Sequence, residues 1–187
     1  LPTTSPSTDY YGGGRRFPIP YATALVALDT LTGGVVWHYQ TVHHDLYDYD
    51  HVGHPLLVTI MKDGEPREVA ILQTKMGWLF VFDRATGEPI WPIEEKPVPG
   101  TNIPEDEASP TQPVPTKPVA FAGQHIDRDD LFGLTPFDKG WCQSEFDTMR
   151  YEGMYTPPDR REALLYPSAL GGGNWGGAAF DPESNTL

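Results

Sequence analysis

The feature that most limits what this chain can fold into is a turn that occurs twice. Asp29-Thr30-Leu31-Thr32-Gly33 and Asp83-Arg84-Ala85-Thr86-Gly87 share the pattern Asp-x-x-Thr-Gly, and a tryptophan, Trp37 or Trp91, stands eight positions after each aspartate. The two copies lie 54 residues apart. An aspartate at the head of such a turn accepts from backbone N–H groups just ahead of it, and glycine supplies the positive φ that closes it. Apolar runs flank both copies, at 24–28 and 35–39 and again at 78–82 and 89–91. Each copy reads as strand, tight turn, strand. A weaker third copy is Ala178-Ala179-Phe180-Asp181, with Ser184 and Asn185 where Thr and Gly stood. Asparagine also tolerates the left-handed conformation.

Between the first two copies lie two more strand patterns, 56–60 and 69–73, joined by Lys62-Asp63-Gly64-Glu65. One period therefore carries about four strands, the content of a propeller blade. Blades bury their faces only against neighbours, and a ring takes about four to eight of them. A chain of 187 residues with this period holds about two to three. The expectation is an all-β chain forming part of a β-propeller. Gly (19) and Pro (20) exceed a fifth of the chain and work against long helices, while five tryptophans and 12 % aromatic residues argue against disorder.

The rhythm breaks after Trp91. Pro92, Pro97, Pro99, Pro104, Pro110, Pro113, Pro115 and Pro118 read as one long extended segment. Thr135-Pro136-Phe137-Asp138 then reads as a helix start, with Thr as N-cap, Pro at the first position and an acid in the first turn. The pattern predicts one helix near 136–151, with Phe137, Trp141, Phe146 and Met149 on an apolar face and Gly153 as its stop. The expected organisation is an irregular lead-in (1–20), repeated blade units (21–91), a Pro-rich insertion (92–160) and the start of a further blade (161–187). The chain starts at Leu1 and stops at Leu187 where a strand should follow a turn, so it is expected to be an internal piece of a longer protein. An open blade array leaves edge strands, and the piece alone is expected to be inactive.

The net charge of −13 repels phosphate backbones, so no nucleic-acid partner is expected. No apolar run approaches the ~18 residues of a membrane-spanning helix. The single cysteine, Cys142, allows no internal disulfide and, beside Trp141, reads as a small packing residue.

Chemistry concentrates between the second and third strand patterns. The stretch 40–50 holds His43, His44, Asp45, Asp48 and Asp50, and His51 follows. There is no His-Glu-x-x-His and no Gly-x-Ser-x-Gly, and one cysteine excludes a Cys/His zinc site of the usual kind. Spacing alone leaves a Ser-His-Asp triad open, and a polar loop at a sheet end as the plain alternative. Two features point to a site. Three aspartates repel one another unless a cation or a base role balances them. Lys75 is written into the apolar run 71–78, where a charge is costly unless paired.

In chain order the sequence carries 40–50, 75–84, Glu94-Glu95-Lys96-Pro97-Val98-Pro99, Ser109-Pro110-Thr111-Gln112-Pro113, 135–142, 151–158 and Gly173-Asn174-Trp175-Gly176-Gly177. From residue 21 to 187 this order resembles the membrane-bound quinoprotein dehydrogenases of the glucose/quinate/shikimate type. The adjacent cysteine pair of soluble quinoprotein alcohol dehydrogenases is missing, which favours the glucose-type branch. The resemblance implies an eight-bladed propeller binding pyrroloquinoline quinone (PQQ) with Ca2+ or another divalent cation. Asp50 is weak support for a lanthanide instead. Asp48 matches the catalytic base and, secondarily, a metal ligand; Lys75, Asn174 and Trp175 match cofactor contacts. His43, His44 and Tyr47 become walls of the site, and Ser5 to Asp9 match a metal-binding segment poorly. The implied reaction oxidises a sugar or polyol hydroxyl, glucose first, with quinate, shikimate or another polyol as the alternative. Electrons pass to ubiquinone at the periplasmic face, and only an anchor missing from this chain meets the membrane. The competing reading, a cofactor-free propeller scaffold, needs neither Asp48 nor Lys75.

Overall fold

The computed structural model describes all 187 residues. Seven strands form three antiparallel sheets. β1 (Ala24–Leu28) pairs with β2 (Val35–Gln40); β3 (Leu56–Lys62), β4 (Glu65–Gln73) and β5 (Leu79–Asp83) form a meander; β6 (Ile93–Pro97) pairs with β7 (Thr111–Pro115). One helix, α1 (Pro136–Thr148), and a short 3-10 turn at Arg128–Asp130 complete the elements.

The repeated turns fold alike. Asp29 Oδ1 accepts from the N–H groups of Leu31 (3.1 Å) and Thr32 (2.7 Å) and from Thr32 Oγ1 (2.8 Å). Asp83 Oδ1 does the same with Ala85 (2.9 Å), Thr86 (2.9 Å) and Thr86 Oγ1 (3.1 Å). Gly33 and Gly87 have φ of +71° and +78° and return an N–H to the carbonyl of their aspartate. These hydrogen bonds favour the ionised carboxylates, and both aspartates sit below their ordinary pKa. The first repeat then locks onto the second. Trp37 donates from Nε1 to Arg84 O (3.1 Å) and packs against Phe82 at 5.9 Å between ring centres. A Cβ on Gly87 would stand 2.6 Å from the Trp37 indole, so this approach requires glycine.

Successive residues of a strand face opposite sides of its sheet. Ala70 and Leu72 on β4, with Phe80 and Phe82 on β5, face the β1–β2 sheet, and with Leu25, Val42, Leu46, Tyr47, Tyr49 and Tyr155 they form the main core. Val69, Ile71, Leu79 and Val81 face the other way and pack with Ile60, Trp91 and Phe180. The central sheet is thus apolar on both faces, as a layer between two neighbours must be.

Three parts differ from the sequence reading. The Pro-rich segment is not simply extended: Ile93 to Pro97 pair with Pro115 to Thr111 in a hairpin. Pro97, Pro113 and Pro115 fall at the pairs whose backbone nitrogens face outward from this two-stranded ribbon, so their missing N–H groups remove no ladder bond. The runs at 89–91 and 178–180 form no strands; only the isolated bridges Phe82↔Pro89 and Asp181↔Thr186 occur there. The helix starts as expected, with Thr135 Oγ1 accepting from Asp138 N (3.4 Å), but it ends at Thr148 rather than 151. Arg150 is drawn into a parallel bridge with Ala163, donating to Glu162 O (2.8 Å) and accepting from Leu164 N (3.0 Å). That pairing needs extended backbone before Gly153 is reached. The helix also buries none of its residues, and Phe137 is 90 % exposed. It is held by polar bonds to the 3-10 turn, among them Arg128 to Asp147 at 3.1 Å.

Candidate active site

Two connections meet at one end of the sheets. The loop after β2 carries 41–55, and the tight turn between β4 and β5 carries Lys75. In that turn Gly77 N donates to Thr74 O (3.0 Å), Thr74 N to Trp78 O (3.1 Å), and Gly77 has φ +80°. Lys75 therefore lies at the tip, not in a strand, and is 6 % exposed. Its ammonium donates to Asp48 O (2.9 Å) and Asp48 Oδ2 (3.4 Å) and pairs with Asp50 Oδ1. The sequence separation of 27 residues thus closes into a two-carboxylate, one-ammonium cluster.

The cluster sets its own proton affinities. Burial pushes the Asp48 carboxyl above its ordinary pKa, and Asp50 adds to the rise, while Lys75 opposes it. Burial alone would lower Lys75, but the hydrogen bond and charge of Asp50, followed by Asp48, outweigh it and hold the ammonium above its ordinary value. A carboxylate with raised proton affinity beside a fixed cation is suited to accept a proton while negative charge is held nearby.

The third aspartate does something else. Asp45 is 1 % exposed and points inward, where its carboxylate accepts from Tyr47 N (2.9 Å), Tyr49 N (3.1 Å), Ser5 Oγ (2.6 Å) and Thr23 Oγ1 (2.9 Å). Tyr47, expected as a wall of the site, is fully buried: it stacks on Tyr49 at 5.5 Å and meets Tyr155 edge-on. Its place after Asp45, whose carboxylate binds its N–H, turns the ring into the core. His43 joins the loop to the β6–β7 hairpin through Glu95 (2.9 Å) and a two-way backbone clasp with the buried Gln112 (2.8 and 2.7 Å). His44 Nε2 lies 4.0 Å from Asp106 Oδ1.

His51 is buried and bonds through Nε2 to Thr41 Oγ1. Burial lowers its pKa from 6.5 to about 4, so the fold holds it neutral while an unfolded chain takes up a proton below about 6.5. The unfolded state then binds more protons between those values, and stability falls as pH falls, by up to about 1.4 kcal/mol per pH unit from this group. In the full-length protein, His51→Gln is expected to flatten the acid limb of a plot of melting temperature against pH between about 6.5 and 4. Superimposable curves for the two proteins would remove His51 from the account.

Asn174 and Trp175 follow a glycine run packed on the lysine turn. Gly172 N donates to Lys75 O (2.7 Å), and a Cβ on Gly171 would meet Lys75 Cβ at 2.5 Å. The segment thus borders the cluster, yet neither side chain bonds to it: Asn174 Nδ2 donates back to Leu170 O (2.6 Å), and Trp175 is 79 % exposed. Three participants, Tyr10, Gly171 and Gly172, were not among the residues expected at the site. Tyr10 directs its hydroxyl at Asp48 Oδ2 (3.5 Å) from the irregular lead-in, where no periodicity marks it. Gly171 and Gly172 were legible as a triple-glycine run, the usual mark of close backbone approach.

A single ammonium at a loop-lined end is the group an anionic cofactor would need, and its protons are here directed at Asp48 O, Asp48 Oδ2 and Asp50 Oδ1. A cation fits less well: no three His, Cys, Asp or Glu side chains come together to hold one, and the two carboxylates already share Lys75. Asp48 alone is not a ligand sphere.

A sequence-family model described as "PQQ: Glucose/ethanol/alcohol dehydrogenase, beta-propeller domain" matches residues 1–187. The chain is 41 % identical over 184 residues to the quinate/shikimate dehydrogenase (quinone) of Acinetobacter baylyi, a match covering 97 % of this chain and 23 % of that enzyme. It is 40 % identical over 185 residues to the quinoprotein glucose dehydrogenase of Gluconobacter oxydans, covering 98 % of this chain and 23 % of that enzyme. The chain thus spans about a quarter of the length of these relatives. A europium-containing methanol dehydrogenase shares the fold, with a TM-score of 0.54 at 18 % identity over 98 % of this chain and 26 % of the other.

Proposed function

The chain belongs to the PQQ-dependent glucose/ethanol/alcohol dehydrogenase β-propeller family, and from that membership we propose that it supplies the proton acceptor and the cationic clamp of a sugar or polyol dehydrogenase site. The observation that carries this is the convergence of Asp48 and Lys75 from separate connections at one end of the sheets. When bound, PQQ would supply a quinone able to accept one hydride, that is two electrons and one proton, from the substrate carbon. Asp48 takes the hydroxyl proton on its carboxylate, which its raised proton affinity suits. Lys75 offers an ammonium where negative charge gathers on the cofactor edge. Asn174 and the open indole of Trp175 lie on the bordering segment and give this cofactor an amide and a ring face.

The substrate class follows the relatives: an aldose, with quinate, shikimate or another cyclic polyol as the second reading. Ubiquinone is assigned as the acceptor and the periplasmic face of the inner membrane as the location, through an anchor outside these residues. Ca2+ or another divalent cation is assigned with most of its ligands from the rest of the protein, so no step is routed through it here. The test is reconstitution of the full-length apoprotein. With PQQ and Ca2+ it is expected to reduce a dye acceptor at the expense of an aldose or cyclic polyol. Failure to take up PQQ would leave a scaffold.

A further inference from the structure

Among the groups that proton transfer leaves unused, Asp45 is the most heavily committed. Its carboxylate is buried, and it reaches three separate parts of the chain: the lead-in at Ser5, the start of β1 at Thr23, and the site loop. Within the loop it does not touch Asp48. It takes the N–H groups on either side of it, Tyr47 at 2.9 Å and Tyr49 at 3.1 Å. The residue enclosed between those two anchors, Asp48, has φ +58°, a conformation that costs a non-glycine residue energy unless its surroundings impose it.

That conformation is what aims Asp48. Lys75 is held through both the carbonyl and the carboxylate of the same residue, at 2.9 and 3.4 Å, and this double contact requires the peptide plane and the side chain of Asp48 to turn together. The carbonyl of Asp45 itself is fixed as well, accepting from the buried Arg15 guanidinium at 2.6 Å. Leu46, wholly buried in the core, pins the far side of the turn. Four donors on one inward carboxylate is more than a surface loop needs, and two of them bracket Asp48, which meets the cation through both its carbonyl and its carboxylate.

We infer that Asp45 is the positioning residue of this site: by holding the amides of Tyr47 and Tyr49 it fixes the left-handed turn that points Asp48 at Lys75. This deepens the reaction proposed above and rests on it for its kinetic consequence, but not for its structural one.

The test compares Asp45→Asn and Asp45→Ala in the full-length protein. An asparagine oxygen at the Oδ1 position keeps Tyr47 N (2.9 Å) and the longer contact to Tyr49 N (3.4 Å), and the Ser5 and Thr23 hydroxyls can rotate to accept from an NH2 group at the Oδ2 position. Alanine removes every acceptor. Hydrogen exchange at the Tyr47 and Tyr49 amides is expected to stay slow in Asp45→Asn and to speed up by about 100-fold in Asp45→Ala, with β3 to β5 unchanged. In the PQQ-loaded enzyme, kcat is expected to fall about 100-fold in Asp45→Ala, with KM within a few-fold, and to stay within about 10-fold of wild type in Asp45→Asn. Should alanine prevent folding, Asp45→Ser keeps one short acceptor and must fall between wild type and complete loss in both readouts. Slow amides in Asp45→Ala would overturn the inference. So would equal losses in both variants with exchange rising across the whole core, the mark of a merely structural residue. A wild-type protein without PQQ-dependent turnover overturns the reaction instead, and amide exchange still decides whether Asp45 holds the turn.

Discussion

In the full-length protein, Asp48→Asn is expected to lower kcat by about 100- to 10,000-fold while PQQ remains bound. Asparagine is the right replacement because φ at this position is +58°, a region asparagine enters with little strain and alanine does not. The Asp48 carbonyl, which accepts from Lys75 at 2.9 Å, is untouched by the change, so the ammonium keeps that anchor and its pairing with Asp50. What is lost is the ability to accept a proton. The pH profile separates this from a loss of shape. In the wild type, Asp48 must be ionised to act, and burial and the charge of Asp50 raise its pKa above 3.8. Turnover should therefore fall as pH drops through that raised pKa, and that limb should vanish from the residual activity of the variant. Unchanged turnover, or a limb that survives the substitution, would reassign the base.

The parts of this architecture that could be read from sequence are those built from neighbours in the chain. The Asp-x-x-Thr-Gly turn is legible because Asp29 and Asp83 bond within three residues of themselves, so sequence spacing is spatial spacing. Lys75 was legible for an energetic reason: a charge in an apolar run must find a counter-charge, and 40–50 was rich in candidates. What could not be read depends on distant partners. The β6–β7 hairpin is hidden because prolines at 97, 113 and 115 erase the alternation that marks a strand, and only pairing reveals the ribbon. The helix end is set by Ala163, not by the glycine downstream. The three aspartates are the clearest case. Counted along the chain they are one acidic cluster whose members repel. In space Asp45 turns inward to amides and hydroxyls, while Asp48 and Asp50 face one ammonium, so the repulsion is resolved by direction. Nothing in their spacing distinguishes a carboxylate that shapes the turn from the two that flank the cation.

Lys75→Met is expected to weaken PQQ binding by about 10- to 100-fold, the range set by losing a charged hydrogen-bond donor. Methionine suits the slot, since it is unbranched and flexible and the lysine stem is buried beneath Gly171. Arginine is not expected to rescue: its planar guanidinium is larger, and the close approach of Gly171 leaves it no room to adjust. The second consequence is electrostatic. Without the ammonium, Asp48 and Asp50 face each other across a partly buried gap, and their repulsion favours protonation of one of them. Because Lys75 lowers the Asp48 pKa in the wild type, its removal must raise it further, and the acid limb of the residual activity must move to higher pH. Lys75→Met carrying Asp50→Asn tests the direction of that shift. With one carboxylate gone, the limb should move back toward acid, although the affinity for PQQ should not recover. A Lys75→Met protein that binds PQQ as tightly as wild type, with its pH limb in place, would show that the ammonium serves only to neutralise the loop. Recovery of both properties in the double variant would carry the same message, because charge balance would then have been the whole of the lysine's task.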